Sequence, residues 1–245
     1  MINVNGVSVG EVYPTNSYGD LVVERLYRSR DNVGRMYVYA TVRFLGTGSR
    51  RDVQVSKVRK GLVKDTYLPT VHNVGYLGEA TVSGNKVAYR VWQGMLGRCY
   101  NTSSINYKNY GGCGTTVDRE WHNFGVFLEY YNKNYIEGYH LDKDLLSIGK
   151  DRVYSSKTCC FIPASVNSLI GTTARGDGVF AYGKQWGYGG SSRVCFKDKL
   201  SAYKYRSECF QLRLDNFLEE CTGILADKVI SAVTVLLQKE IGKLK

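Results

Sequence analysis

The first third of the chain alternates apolar and polar residues. Between Met36 and Phe44, in the run MYVYATVRF, apolar residues occupy every second position. A period of two predicts a half-buried strand, because successive side chains of a strand point to opposite faces. A short apolar run, Leu21 to Leu26, precedes it, and glycines at positions 46 and 48 mark a turn after it. We predict a β-rich module over residues 1–75.

The apolar spacing becomes helical in the centre of the chain. Apolar residues recur at intervals of three and four between Val87 and Cys99, which predicts one helix. Asp118 is a suitable N-cap for a second helix, whose aromatic stripe from Trp121 to Tyr131 we assign to the core. The preceding stretch, residues 70–86, is rich in Gly, Asn, Ser and Thr and predicts a connector.

The segment from residue 139 to residue 170 predicts a strand, a loop, a second strand and a helix. Short Gly-separated strands are expected over 171–197, followed by a helix from about Lys199 to Cys221 and an amphipathic helix after Gly223. The predicted fold class is α+β. It comprises the basic N-terminal β module, a central ββα unit over 86–171, and a C-terminal three-stranded sheet with helices over 175–245.

The charge of the chain indicates a polyanionic partner. Lys and Arg number 33 against 22 Asp and Glu, a net charge of +11. Nucleic acid is the leading candidate, and a solvated basic surface is the alternative. In the N-terminal module the candidate phosphate contacts are basic residues interleaved with apolar ones: Arg43, Arg50, Arg51, Lys57, Arg59 and Lys60. The same charges could instead protect an exposed sheet edge from aggregation.

Two features concern the compartment. The first residues lack the charged and apolar regions of a secretory signal, and no apolar run is long enough for a membrane span. The seven cysteines are odd in number and show no C-x-x-C spacing, which argues against a disulfide framework and a zinc knuckle. We expect a soluble cytoplasmic protein with reduced thiols and no membrane partner.

Three runs of the sequence carry a resemblance to a known family: YRVWQGMLGRCYN, YKNYGGCGTTVDREWHNFGVFLEYY and LDKDLLSIGKDRVYSSKTCCFIPASVN. Together they resemble phage-encoded His-Asn-His (HNH) endonucleases of the homing type that also carry an apetala-type DNA-binding domain. The resemblance covers roughly residues 87–170. A weaker likeness to the apetala-type domain lies in VFAYGKQWGYGGSSRVCFKDKLSAYKYRSECF, around Phe196, Ala202 and Tyr203.

The resemblance implies one divalent ion, Mg²⁺ or Mn²⁺, held by Asp142 in the first strand and Asn167 in the helix. In the family a histidine directly follows the aspartate and acts as the general base, but this chain has Lys143 there. A lysine is a base only where its surroundings disfavour the ammonium form, so we interpret Lys143 as a phosphate clamp. His140 is the alternative base, since strand alternation puts it on the same face as Asp142.

Structural alternatives to this site remain open at the level of sequence. Asp142 and Asp144 could accept bonds from Lys143, Lys150 or Arg152 on a solvated hairpin. Asn167 could satisfy free amides at a helix start. Outside the N-terminal module, the expected DNA contacts are Arg98, Lys150, Arg152, Lys184, Trp186, Arg193 and Lys197.

The sequence thus predicts a metal-dependent endonuclease that binds duplex DNA and cuts one or both strands. One alternative is a catalytically inactive DNA-binding regulator on the same scaffold. The other is a phage protein that binds and inhibits a host protein. If the chain is phage-encoded, the expected cytoplasm is that of the host. The apolar stripe of the last helix is assigned to the core, with a dimer seam as the alternative.

Overall fold

A computed structural model describes residues 3–147, 152–164, 167, 179–189 and 193–220. The described chain is a mixed α+β protein with several small sheets. Two compact units can be distinguished. One comprises Met1–Asn85 with His122–Gly125, and the other comprises Lys86–Trp121 with Val126–Lys245.

The first unit is built on one antiparallel sheet. A small hairpin, β1 (Asn3–Val4) and β2 (Val7–Ser8), precedes it. The sheet contains β3 (Val12–Pro14), β4 (Asp20–Arg30), β5 (Met36–Phe44) and β6 (Arg50–Gln54) in sequential order. Helix α1 (Val55–Arg59) follows directly.

One face of this sheet forms the core of the unit. Leu21 and Val23 of β4 pack with Ala40, Val42 and Phe44 of β5, and all are at most 1% exposed. The two valines of α1 that are buried, at positions 55 and 58, complete the cluster. The predicted strand from Met36 to Phe44 is therefore confirmed with its alternation, although Met36 itself is exposed at the hairpin end.

The second unit begins with α2 (Lys86–Tyr100), which confirms the predicted helix. Two short 3₁₀ turns, Tyr107–Asn109 and Gly111–Cys113, lead to β7 (Thr116–Val117). Further elements are α3 (Phe124–Asn134), β8 (Tyr139–Asp142), α4 (Asp144–Ser147), β9 (Val153–Tyr154) and β10 (Cys160–Pro163). Strands β8 and β10 pair antiparallel, whereas β7 and β9 pair parallel.

The predicted helix start at Asp118 was wrong. Asp118 Oδ1 accepts the amide of Glu120 at 3.0 Å, but this bond begins only a 3₁₀ turn, Arg119–His122. Helix α3 starts at Phe124, where the side chain of Asn123 accepts the amide of Gly125 at 2.9 Å. The aromatic stripe is nevertheless core, as predicted, since Trp121, Phe124 and Phe127 are at most 2% exposed.

The C-terminal part of the second unit is a three-stranded antiparallel sheet with a long helix. Strands β11 (Val179–Tyr182), β12 (Gln185–Tyr188) and β13 (Val194–Phe196) are joined in sequence, and α5 (Lys199–Glu220) follows. Tyr205 of α5 contacts the rings of Tyr188 and Phe196, with centroids 6.3 and 5.2 Å away. The helix predicted after Gly223, with its dimer seam, lies outside the described residues. No described helix combines the length and apolar character required to cross a membrane.

Candidate active site at the β8–β10 hairpin

The β8–β10 hairpin places the predicted site residues. Leu141 pairs with Phe161 and Asp142 pairs with Cys160. Phe161 and Ile162 are buried and fix the hairpin to the core. The chain turns into helical conformation at Ala164, and Asn167 lies one turn further. The two strands and the helical conformation at Ala164 and Asn167 agree with the prediction, but α4 and β9 lie between the strands, where a loop was predicted.

Asp142 accepts two structural hydrogen bonds and also lines a cavity. Its Oδ1 accepts the amides of Asp144 at 3.0 Å and Leu145 at 2.7 Å, which holds the start of α4. The residue is only 5% exposed, and burial raises the pKa of its carboxyl to about 6 despite the two amide bonds. No described residue bonds to Oδ2, so this oxygen is available to a ligand.

A cavity of about 620 Å³ opens beside Asp142. Asn167 lines the same cavity, so the two predicted metal ligands come together, as do His140 and Lys143. Helix α2 supplies the opposite wall. The lining is mainly polar and aromatic: Arg90, Val91, Gly94, Arg98, Tyr110, Tyr139, His140, Leu141, Asp142, Lys143, Asp144, Tyr154, Ala164 and Asn167.

Arg98 points from α2 into this cavity between two tyrosines. Its guanidinium carbon lies 5.4 Å from the ring centroid of Tyr110 and 5.6 Å from that of Tyr154. It donates to the Tyr154 hydroxyl over 3.4 Å, and its Nε is buried with no hydrogen-bond partner in the described chain. A buried N–H group without a partner is costly, and an anion in the cavity would offer one.

Lys143 approaches the same two rings from the hairpin. Its Nζ lies 5.7 Å from the Tyr110 centroid and 5.9 Å from the Tyr154 centroid. It also forms an ion pair with Asp144, one of the structural bonds considered from the sequence. Arg98 and Lys143 thus bring two cations to one pair of aromatic rings.

The remaining candidates for a proton acceptor differ in their surroundings. His140 is exposed on the cavity, two residues before Asp142. Tyr154 is 2% exposed, and burial raises the pKa of its phenol far above the ordinary value. Tyr154 is therefore a neutral phenol at physiological pH. His140 is the only imidazole among the described residues that line the cavity, and imidazole is the side chain that most often serves as a general base.

The basic residues predicted in the first unit are spread over the sheet and α1. Arg43 and Arg50 both donate to Glu24, at 2.7 and 2.8 Å. Arg51 donates to the carbonyl of Lys64. The other three are exposed in or directly after α1: Lys57, Arg59 and Lys60.

The basic residues predicted in the second unit fall into two groups. Arg152 is exposed and donates to the Cys113 carbonyl, and Lys150 lies outside the described residues. In the C-terminal sheet Arg193 covers Tyr182, with 4.3 Å between guanidinium carbon and centroid, and Lys184 and Lys197 are exposed. Trp186 pairs with Phe196 and therefore lies on the face of the sheet toward α5. The Nζ of Lys199 lies 5.0 Å from the ring centroid of Trp186.

Sequence reasoning missed two cavity residues. Arg90 is one of them, and its signal was present, because Arg90, Gly94 and Arg98 follow one another at intervals of four and share a helix face. Tyr110 is the other. It lies between the two 3₁₀ turns, in a stretch with no regular spacing, so no sequence pattern indicated its position.

The donor set fits a hard divalent cation that keeps most of its water. Asp142 Oδ2 and the Asn167 amide oxygen are hard oxygen donors on one cavity, which is the kind of incomplete protein shell that Mg²⁺ accepts. Across the described ranges, no group of three His, Cys, Asp or Glu side chains could hold a metal ion. A closed structural zinc site is therefore not formed by these residues.

Comparisons of the chain with protein-family models, with curated proteins and with solved structures found no match. The function has to be inferred from the cavity and from the distribution of charge.

Proposed function

We propose that this protein binds duplex DNA and hydrolyses its phosphodiester bonds in the cavity beside Asp142, with one bound Mg²⁺ or Mn²⁺. The observation that carries the proposal is the composition of this single cavity. It unites a carboxylate and an amide for a cation, three basic side chains for a phosphate, and one exposed imidazole. The net charge of +11 supports a polyanionic substrate.

Asp142 and Asn167 hold the cation in this proposal. A bound Mg²⁺ would polarise the scissile phosphate and stabilise the charge of the leaving 3′ oxygen. Burial disfavours the ionised carboxylate of Asp142 in the metal-free protein, and a cation bound beside it would favour that form.

Arg98 and Lys143 bind the phosphate from two sides. The buried Nε of Arg98 needs an acceptor, and a guanidinium donates to phosphate oxygens in a planar fork. Lys143 adds an ammonium beside the same two rings, as expected for a phosphate clamp. Arg90, exposed on the same helix face, extends the basic surface toward a neighbouring phosphate.

His140 accepts the proton of the attacking water. It occupies the exposed position of β8 and lines the cavity together with Asp142. A positioned general base contributes about 10²- to 10⁴-fold to such a reaction. Lys143 does not take this role in the proposal, because its ammonium is assigned to the phosphate.

The C-terminal sheet is the proposed contact to the duplex outside the cavity. Strands lie about 4.8 Å apart, so three strands span about 10 Å, and the major groove is about 12 Å wide. The face turned away from α5 carries Tyr182 with Arg193, and Lys197 follows on the same side of β13 by strand alternation. These side chains, with Lys184 at the β11–β12 turn, would contact phosphates or base edges.

Conversion of supercoiled plasmid to open circles tests the proposal. Wild type is expected to nick with Mg²⁺ or Mn²⁺ and to be inactive in EDTA. Asp142→Ala and Asn167→Ala should each lose at least about 100-fold in rate, since the cation stabilises several kcal/mol of developing charge. Glu137→Ala is the matched control, an exposed carboxylate outside the cavity that should leave the rate unchanged. Equal rates for Asp142→Ala and wild type would refute the assignment.

One observation favours a second function, an inactive DNA-binding regulator. Lys143, held by Asp144, occupies the position in which the resembled nucleases have their base. If wild type binds plasmid in a mobility shift but leaves it intact with both cations, the regulator is the correct assignment.

A further inference from the structure

The second face of the first unit's sheet, opposite its core, carries aromatic and basic side chains in cross-strand rows. Val22 pairs with Arg43 and Arg43 with Arg50, which forms one row across β4, β5 and β6. Successive rows on this face contain Arg25 and then Tyr27 with Tyr39. A bulge at Glu24 shifts the register and brings its carboxylate to the same side. We call this surface the tyrosine–arginine face: Arg25, Tyr27, Tyr39, Arg43 and Arg50.

The aromatic part of this face is a preformed stack. The rings of Tyr27 and Tyr39 lie 5.8 Å apart at 21°. Arg25 covers the ring of Tyr27, with 4.6 Å from its guanidinium carbon to the centroid. Both tyrosines are half-buried on a sheet rather than on a loop, so little conformational entropy is lost when a further planar group joins the stack.

The basic part of the face is partly neutralised: three arginines, Arg25, Arg43 and Arg50, share it with two carboxylates, Glu24 and Asp52, which leaves a net positive charge. Arg43 and Arg50 share the single carboxylate of Glu24, and no ion pair in the described chain involves Arg25. The carboxylate of Asp52 is engaged by the hydroxyl of Thr41 at 2.5 Å. The side chain of Arg50 is 62% exposed and that of Arg43 is 36% exposed, so both can reach a solvent ligand.

We propose that the tyrosine–arginine face binds single-stranded nucleic acid, with an unpaired base added to the Tyr27–Tyr39 stack at Tyr39 and phosphates on Arg25, Arg43 and Arg50. Aromatic rings beside basic side chains on a sheet are the usual means of holding unpaired bases. A duplex does not fit this chemistry, because the faces of its bases are already stacked on one another. This site lies in the first unit and does not depend on the proposed cleavage in the second.

Fluorescence anisotropy of labelled oligonucleotides tests the proposal. The probes are oligo(dT), oligo(U) and a DNA duplex, each of about 16 nucleotides or base pairs, which covers the usual site size for such surfaces. EDTA is included so that no cleavage occurs. We expect oligo(dT) or oligo(U) to bind the full chain more tightly than the duplex does. The comparison of oligo(dT) with oligo(U) shows whether DNA or RNA is preferred.

Variants separate stacking from charge. Tyr39→Ala and Tyr39→Leu should each weaken single-strand binding by about 10-fold or more, whereas Tyr39→Phe should bind as wild type, because the ring is retained. Tyr39→Leu preserves apolar volume on the strand. A loss of single-strand binding in this variant therefore cannot be attributed to an unfolded sheet. Arg25→Ala should lower the salt slope of log K by about 0.7. Arg35→Ala removes one charge in the β4–β5 turn, outside the face, and should leave this slope unchanged.

Several outcomes overturn the proposal: no complex with either single strand at low salt, equal loss in Tyr39→Phe and Tyr39→Ala, or equal salt slopes in Arg25→Ala and Arg35→Ala. Tighter binding of the duplex, weakened by the same tyrosine variants, would also overturn it. Asp142→Ala should bind the single strands as wild type does. A failure of cleavage and a failure of this site are therefore distinguishable.

Discussion

Replacing Asp142 with asparagine is expected to stabilise the metal-free protein at neutral pH. The carboxyl is 5% exposed and its pKa is raised from 3.8 to about 6, with burial as the largest cause. A pKa shift of one unit corresponds to about 1.36 kcal/mol. Burial of the ionised carboxylate therefore lowers the free energy of unfolding by about 3 kcal/mol. Asparagine retains an acceptor oxygen for the amides of Asp144 and Leu145. The substitution therefore removes the charge while it preserves the bonds that begin α4.

The sign of the pH dependence follows from the direction of the shift. An acid with a raised pKa in the folded state binds its proton more tightly there than in the unfolded chain. Its favourable contribution is complete below about pH 3.8 and is lost as the pH rises to about 6. Wild type and Asp142→Asn should therefore differ little near pH 4 and most at pH 7, where the variant is more stable by up to about 3 kcal/mol.

Urea unfolding in EDTA at pH 4, 5, 6 and 7 measures this difference. Addition of Mg²⁺ at pH 7 should then stabilise wild type but not Asp142→Asn, since only a folded protein with the carboxylate binds the cation. Glu137→Gln is the control for loss of an exposed negative charge. If Asp142→Asn were as stable as wild type, or less stable, at pH 7, the reasoning from burial would be refuted.

Two further predictions concern the stability and the cysteines of the chain. Asp65 is 3% exposed and accepts bonds from Thr47 at 2.6 Å, Ser49 at 2.8 Å and the amide of Tyr67 at 2.9 Å. Asp65→Ala should lower the free energy of unfolding by about 2–4 kcal/mol in urea titrations, because three donors lose their acceptor, and a loss under about 0.5 kcal/mol would contradict this. In the native protein a thiol reagent should modify the exposed Cys113 well before Cys99 and Cys159, where burial raises the thiol pKa to about 11 and about 12. Peptide mapping by mass spectrometry checks the order, and equal rates at the three thiols would contradict the burial.

The sequence was most informative where one physical period dominates. The alternation from Met36 to Phe44 predicted β5 with its bounds, since Ala40, Val42 and Phe44 on one face of that strand are buried. The helical spacing from Val87 to Cys99 predicted α2 for the same reason. Both patterns are local consequences of which side chains leave water.

Features that depend on side-chain bonds or on distant pairing were not predictable in the same way. Helix α3 begins at Phe124 because Asn123, rather than Asp118, holds its first amides. The parallel pairing of β7 with β9 involves two residues on each strand, too few for any period.

The candidate site was predictable in part. His140, Asp142, Lys143 and Asn167 line one cavity, and strand alternation predicted that His140 and Asp142 share a face. The enclosure of Arg98 and Lys143 by Tyr110 and Tyr154 required tertiary packing. Sequence spacing carries no record of such a contact, since these residues come from four separate segments.

Single-turnover nicking of supercoiled DNA by wild type, His140→Ala and Lys143→Ala in Mg²⁺ tests the central claim most directly. We predict that wild type nicks and that His140→Ala loses about 100-fold or more in rate at unchanged DNA affinity, because it lacks the proton acceptor. Lys143→Ala should bind DNA more weakly, as expected for the loss of a phosphate contact. An intact plasmid with wild type, or equal rates for wild type and His140→Ala, would contradict the proposed active site.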